Sequence, residues 1–123
     1  MIVIADEANK EVTNQEIQAL QAVKLLHVRG LAASCAACHG TGGNSIKNDN
    51  TNNIASLAGM NATDFIAKMQ GFKSGERAAT VMQHHAKGLN SQEIIDLAEY
   101  FSAQTLRIAV PLVSQTLLDH HAN

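Results

Sequence analysis

The feature that most constrains this chain is the run Cys35-Ala36-Ala37-Cys38-His39. A C-x-x-C-H run is typical of a covalent attachment site for a c-type haem. Two thiols three positions apart share one face of a helical turn, so both can form thioether bonds to the vinyl groups of one porphyrin. The imidazole of His39 then lies beneath the iron as an axial ligand. The motif therefore predicts a haem redox centre and a role in electron transfer.

Three other interpretations of the cysteine pair are open. Cys35 and Cys38 could form a structural disulfide, or they could act as a thioredoxin-like redox pair. The thioredoxin motif usually lies near a βαβ pattern, and the sequence has no strand-rich segment. A zinc site would need a second pair of ligands, for which His84 and His85 are the candidates. Adjacent histidines point in different directions and make a poor pair, so the haem interpretation is favoured.

Length and composition predict one domain. The chain has 123 residues, of which 46% are hydrophobic and only 3% aromatic, with no tryptophan. A core so poor in aromatic rings needs another source of buried apolar area, and a haem would supply it. We predict a single domain over residues 1–123, with a core at about 14–104 and a C-terminal tail at 105–123.

Charge gives no support for nucleic-acid binding, because the formal net charge is −2. The start of the chain is acidic, and the segment 68–87 carries a basic group made of Lys68, Lys73, Arg77 and Lys87. We interpret this group as solvated surface. The alternative is a basic rim that steers an acidic redox partner toward the protein.

The predicted location is the periplasm, because covalent haem attachment normally takes place outside the bacterial cytoplasm. Met1–Ile4 is too short for the apolar part of a targeting signal and lacks a basic flank. The apolar segment Thr105–Leu118 is short and is interrupted by Arg107 and Pro111. We therefore predict no membrane span.

The hydrophobic periodicity predicts an all-α protein. A first helix begins near Asn14, continues past Ala33 into the cysteine motif and ends at the glycine-rich run Gly40–Asn44. A polar loop follows to Asn53. A second helix is predicted from Asn61 or Ala62 to about Phe72, a mixed segment over 76–89, and a third helix from Asn90 or Ser91 to Phe101. Asn90-Ser91-Gln92-Glu93 resembles a capping box.

A second axial ligand would close the iron to small molecules. The candidates are Met60, Met69, Met82, His27, His84 and His85. Met69 lies on the apolar face of a predicted helix, which indicates a core residue. Met82 follows His39 by 43 residues, which leaves enough chain to reach the opposite face of the haem. We favour Met82, with either histidine of the adjacent pair as second choice; a thioether ligand raises the reduction potential relative to two imidazoles.

Several segments resemble a known family. Leu31–Thr41 is similar to the attachment region of class I cytochromes c. Four further segments resemble the cytochrome subunits of flavocytochrome c sulfide dehydrogenases: Ser56–Met60, Phe72–Arg77, Thr80–Met82 and Ala86–Leu89. More broadly, these segments are similar to small bacterial cytochromes with diheme-type domains. It covers about Leu26 to Gln104. It implies a class I cytochrome c fold, with three to five helices wrapped around one covalently bound haem.

The resemblance also implies roles for individual residues. The haem-binding positions of the family map onto Cys35, Cys38, His39 and Met82, with His39 and Met82 as the iron ligands. The family often has proline at the positions of Ala55 and Ala78. At the first of these, the backbone carbonyl accepts a hydrogen bond from the proximal histidine. Ala55 retains a carbonyl and can make the same contact.

The function implied is electron transfer by a single haem c, with no catalysis by this chain alone. A sulfide-oxidising flavoprotein partner, which would carry the FAD, would supply the electrons, and a downstream carrier would accept them. The alternatives are a freestanding periplasmic shuttle, a haem sensor or peroxidase with an open iron, and a thiol–disulfide enzyme that uses Cys35 and Cys38.

Overall fold

Helices are the only regular secondary structure in the described part of the chain. A computed structural model describes residues 13–45 and 54–107 and has no strand in these ranges. The elements are α1 (Asn14–His39), a 3-10 turn (Thr41–Gly43), α2 (Ala62–Ser74), α3 (Val81–Lys87) and α4 (Ser91–Ser102). The acidic start before residue 13, most of the predicted polar loop and the tail beyond Arg107 lie outside the described residues.

Helix α1 is bounded at both ends by local contacts. At its start, the Thr13 hydroxyl accepts a hydrogen bond from the Glu16 backbone at 3.3 Å, and the Glu16 carboxylate accepts one from the Thr13 backbone at 2.9 Å. This capping box satisfies two donors that the helix leaves free. Gly40 ends the helix with φ 85°, and a Cβ atom there would lie 1.9 Å from the Asn44 carbonyl oxygen. Glycine is therefore required directly after the cysteine motif.

The first half of α1 is exposed in the described structure. Leu20 and Leu26 expose 67% and 69% of their surface, although they belong to the apolar pattern that predicts the helix. Val28 and Ala32 are the buried positions of α1. The second half of the helix, which carries the C-x-x-C-H motif, is therefore the half that packs on the protein body.

Side-chain caps also begin α2 and α4. The Asn61 amide oxygen accepts hydrogen bonds from the backbone of Thr63 and Asp64 at 2.9 and 3.3 Å. Asn90 and Glu93 form the predicted capping box, with distances of 2.8 and 3.0 Å. Both starts agree with the sequence-based boundaries.

Helix α3 was not predicted. The segment 76–89 was expected to be mixed, with Met82 between two helices, but Met82 lies in the first turn of α3. Seven residues are too few to show a clear hydrophobic period, and such a helix depends on packing rather than on propensity. Ala86 supplies this packing, because it is fully buried in the core that α2 and α4 build.

The core lies between α2 and α4. Phe65 of α2 stacks on Phe101 of α4 with ring centroids 5.8 Å apart, and Tyr100 meets Phe101 edge-on at 5.2 Å. Met69 is 6% exposed, which confirms its predicted place in the core. Leu97 is buried in the same cluster. Phe65, Tyr100 and Phe101 are thus joined by ring contacts, and Phe72 packs against the same core.

Polar side-chain contacts join α1 to α4. Lys24 lies 3.1 Å from the Asp96 carboxylate, and the His27 ring nitrogen lies 2.9 Å from the Glu93 carboxylate. Burial alone would raise the pKa of Asp96, but hydrogen bonds from Gln92 and Lys24 hold that pKa below its usual value. The backbone hydrogen bond from Asn90, followed by the contact with His27, lowers the pKa of Glu93. Both carboxylates are therefore favoured in their charged form.

Candidate haem-binding site

Two adjoining cavities lie beside the cysteine motif. The larger cavity has a volume of about 470 Å³ and the smaller cavity about 50 Å³. Their shared walls are Cys38, His39, Leu57, Phe65, Met69, Val81 and Met82. The walls are mostly apolar, with a few polar groups, as is usual for cofactor sites. A groove of about 560 Å³ between α1 and α4 contains none of the predicted site residues.

The two cysteines lie on the last turns of α1. Cys38 lines both cavities, whereas Cys35 lines only the smaller one. Both are free thiols, so the structure contains no disulfide between them. Burial raises the pKa of the Cys35 thiol, and hydrogen bonds at Ser34 and the backbone oppose this effect. A thiol–disulfide enzyme needs a cysteine with a lowered pKa, so Cys35 is poorly suited to that chemistry.

A backbone contact orients His39. Its Nδ1 atom lies 2.6 Å from the carbonyl oxygen of Ala55. A carbonyl can only accept a hydrogen bond, so Nδ1 must carry the proton. In the neutral imidazole, Nε2 then keeps its lone pair and is the nitrogen able to bind a metal. The contact with Ala55 expected from the family resemblance is thus present, although no proline stands there.

The 3-10 turn fixes the segment that carries Ala55. The Gly43 carbonyl accepts hydrogen bonds from the backbone of Leu57 at 2.7 Å and of Ala58 at 3.1 Å. Gly59 in turn donates to the Phe101 carbonyl at 2.9 Å. The position of the His39 partner therefore depends on the turn directly after α1 and on the end of α4.

Three methionines reach the cavities. Met60 lines the larger cavity, and Met69 and Met82 line both. Met69 belongs to the buried core, whereas Met60 and Met82 are partly buried beside it. Of the histidines proposed as second choice, His85 lines the smaller cavity and His84 lines neither. His27 is engaged with Glu93, away from these walls.

Two cationic side chains were missed as site residues. Lys68 and Arg77 line the larger cavity but not the smaller one, and the Arg77 guanidinium lies 5.2 Å from the centre of the Phe72 ring. From the sequence they were only part of a dispersed basic group. A signal was present, because both lie close in sequence to the apolar faces that build the cavity. The other two residues of the basic group line neither cavity: Lys73 donates a hydrogen bond to the Leu89 carbonyl, and Lys87 is exposed.

A comparison with protein families decides the fold and the chemistry. The family described as cytochrome c matches residues 29–104, which is more than half of the chain. The chain belongs to the cytochrome c family. Its fold is therefore the all-α class I cytochrome c fold, as predicted. Electron transfer through covalently bound haem c is the function that membership supports.

The relatives of this cytochrome include a subunit of an enzyme and proteins named only as cytochromes. It is 44% identical over 71 residues to the cytochrome subunit of sulfide dehydrogenase from Chlorobaculum tepidum, covering 58% of this chain and 60% of that protein. It is 33% identical over 79 residues to cytochrome c4 from Pseudomonas aeruginosa, covering 64% and 37%. Cytochrome c-554(548) from Halomonas halodenitrificans is 34% identical over 74 residues, covering 58% and 84%. The match thus spans less than two thirds of the first two relatives.

Two further observations bear on the alternatives. Within 13–45 and 54–107, no group of three or more histidine, cysteine, aspartate or glutamate side chains could hold a metal ion. The zinc interpretation therefore gains no support from these ranges. None of the helices described has an apolar stretch long enough to cross a membrane.

Proposed function

We propose that this cytochrome carries one haem c, bound through Cys35 and Cys38, with His39 and Met82 as axial ligands. It would transfer electrons from a sulfide-oxidising flavoprotein to a downstream carrier in the periplasm. The observation on which the proposal depends is the convergence of these four side chains on adjoining apolar cavities. The chain would bind no sulfur substrate itself, and the FAD would belong to the partner.

The chemistry of the cavity walls fits a haem c. When bound, the haem supplies a one-electron redox centre. Cys35 and Cys38 provide the two sulfur atoms for thioether bonds, and His39 provides an oriented nitrogen. The mostly apolar walls suit the apolar macrocycle. A thioether from Met82 would favour the reduced state relative to a second imidazole.

The two ends of the site differ in charge, and this difference predicts an orientation. Cys35 lines only the smaller cavity, and Lys68 and Arg77 line only the larger one. The vinyl groups of a haem, which react with cysteine, lie on the opposite side of the macrocycle from its carboxylates. Lys68 and Arg77 would therefore pair with these carboxylates, and the pairing would raise the reduction potential.

The partner is inferred from a relative that is the cytochrome subunit of sulfide dehydrogenase. This chain is 44% identical to that subunit over 71 residues. The family resemblance on Ser56–Met60 and Phe72–Arg77 points to the same subunit. The alternative is a freestanding shuttle, which is favoured by the similarity to cytochrome c4 and cytochrome c-554(548).

A pair of methionine variants tests the iron ligands. Met82→Leu should abolish the weak ferric absorption band that is typical of methionine–iron ligation. Met60→Leu is the matched control, because Met60 also lines the larger cavity and is partly buried. It should keep the band. If only the Met60 variant lost the band, Met60 would be the iron ligand and the proposed role of Met82 would be wrong.

Co-purification tests the partner. The full chain, matured with its haem, should retain a flavin-containing protein from periplasmic extract and should be reduced when sulfide is added to the complex. Sulfide alone should not reduce the isolated cytochrome at the same rate. A cytochrome that purifies alone and is reduced equally fast without the flavoprotein would favour the freestanding shuttle.

A further inference from the structure

Two side chains of the short helix α3 are of a type that can bind iron, and both reach the same cavity. Met82 and His85 are three residues apart, so they lie on one face of the helix. Both line the smaller cavity, together with the cysteine Cys35. His84, the neighbour of His85, lines neither cavity. The two histidines are therefore not equivalent, although the sequence alone does not separate them.

The imidazole of His85 has no competing contact in the part of the chain that the structure describes. His39 is held by the Ala55 carbonyl, and His27 is held by the Glu93 carboxylate. No described hydrogen bond or ion pair involves either ring nitrogen of His85. Its side chain is exposed on one side and reaches the cavity wall on the other. An imidazole is thus present at the same cavity as the Met82 thioether.

Helix α3 is short and has one fully buried position. It has seven residues, its N-cap Thr80 makes no side-chain capping bond, and Gly88 follows its end. Ala86 is its only buried residue. Three residues advance a helix by about 4.5 Å and leave the two side chains roughly 60° apart. To take the place of Met82, His85 would therefore need α3 both to turn by roughly 60° and to shift by about 4.5 Å along its axis.

We propose that His85 is a reserve axial ligand: when the thioether of Met82 is removed, the His85 imidazole takes its place at the iron. The proposal rests on the proposed haem ligation. The exchange breaks one iron–sulfur bond and forms one iron–nitrogen bond, with the lone pair supplied by a ring nitrogen. The other ring nitrogen keeps its proton, and no electron is transferred. Loss of the Met82 thioether from the iron would then lower the potential without opening the iron to small molecules.

Three variants of the matured, haem-containing chain test this proposal. They are Met82→Ala, Met82→Ala with His85→Ala, and Met82→Ala with His84→Ala as the matched control. Ferric spectra report whether the iron has one or two strong ligands, and carbon monoxide titration of the reduced protein reports its accessibility. Met82→Ala and the His84 control should both show two nitrogen ligands. The His85 double variant should be high-spin and bind carbon monoxide about tenfold more tightly, since no internal ligand competes.

The outcomes separate the two levels of the proposal. A wild-type spectrum that is unchanged in Met82→Ala would contradict the ligation by Met82, and with it the proposed site. A Met82→Ala variant that loses the methionine band but is already high-spin would contradict the reserve role of His85 alone. The same conclusion follows if His84→Ala, rather than His85→Ala, opens the iron. Circular dichroism of each variant shows whether the helical fold is intact.

Discussion

Replacing Gly43 by alanine tests the packing that holds the His39 partner in place. Gly43 has φ 79°, a left-handed conformation that costs a residue with a side chain about 1–2 kcal/mol. A Cβ atom at this position would lie 2.8 Å from Phe101 Cδ1, 2.9 Å from the Ala58 nitrogen and 2.9 Å from Leu57 Cβ. All three are tighter than real contacts, and relieving such overpacking costs about 1–3 kcal/mol. The expected loss is therefore about 2–5 kcal/mol of unfolding free energy.

Gly30→Ala is the matched control. Gly30 lies inside α1, and nothing lies within 4 Å of a Cβ atom there. Alanine is favoured over glycine in a helix interior, so this variant should gain about 0.5–1 kcal/mol. The two changes add the same methyl group with opposite expected signs.

The assay is guanidinium denaturation of the haem-containing protein, followed by far-UV circular dichroism because the chain has no tryptophan. The midpoint should fall for Gly43→Ala and rise for Gly30→Ala. A Gly43→Ala variant within about 0.5 kcal/mol of the parent protein would refute the argument. So would an equal loss in both variants, because the effect would then not depend on the turn.

Two further predictions concern charge. The pKa values of Glu93 and Asp96 are lowered from their ordinary 4.5 and 3.8. The two carboxylates therefore stabilise the fold at a pH above these ordinary values, and their contribution is lost as the pH falls through the lower pKa values of the folded protein. The double variant Glu93→Gln, Asp96→Asn should therefore show a flatter dependence of unfolding free energy on pH below about 5, and an unchanged slope would contradict the assignment. Lys68→Met with Arg77→Met should lower the reduction potential by tens of millivolts, on the order of 1 kcal/mol, because positive charge near the haem favours the reduced state. Lys87→Met, which lies outside both cavities, should shift it less; equal shifts would argue for a diffuse charge effect.

The sequence was informative where a contact is local. The caps at Thr13, Asn61 and Asn90 involve residues within three positions of each other, so their partners can be found in the sequence. The five residues of the haem motif are also local, because one helical turn brings them together. The hydrogen bond between His39 and Ala55 joins residues 16 positions apart. Only the family resemblance predicts it, because no local pattern links the two residues.

The rest depends on contacts between distant segments. Helix α3 forms because Ala86 packs into a core built by α2 and α4, which periodicity over seven residues cannot reveal. The same limitation applies to Lys68 and Arg77. Nine positions separate them, and only the turn at Gly75 brings both to the wall of one cavity. The exposure of Leu20 was likewise not predictable, since a periodic apolar face indicates a helix but not what covers it.

The most direct test of the account is the intact mass of the matured chain under denaturing conditions, combined with alkylation of free thiols. Cys35 and Cys38 should both resist alkylation, and the mass should exceed that of the polypeptide by one haem. A chain of unmodified mass in which both cysteines are alkylated, after expression with the export and haem-attachment machinery, would contradict the central claim.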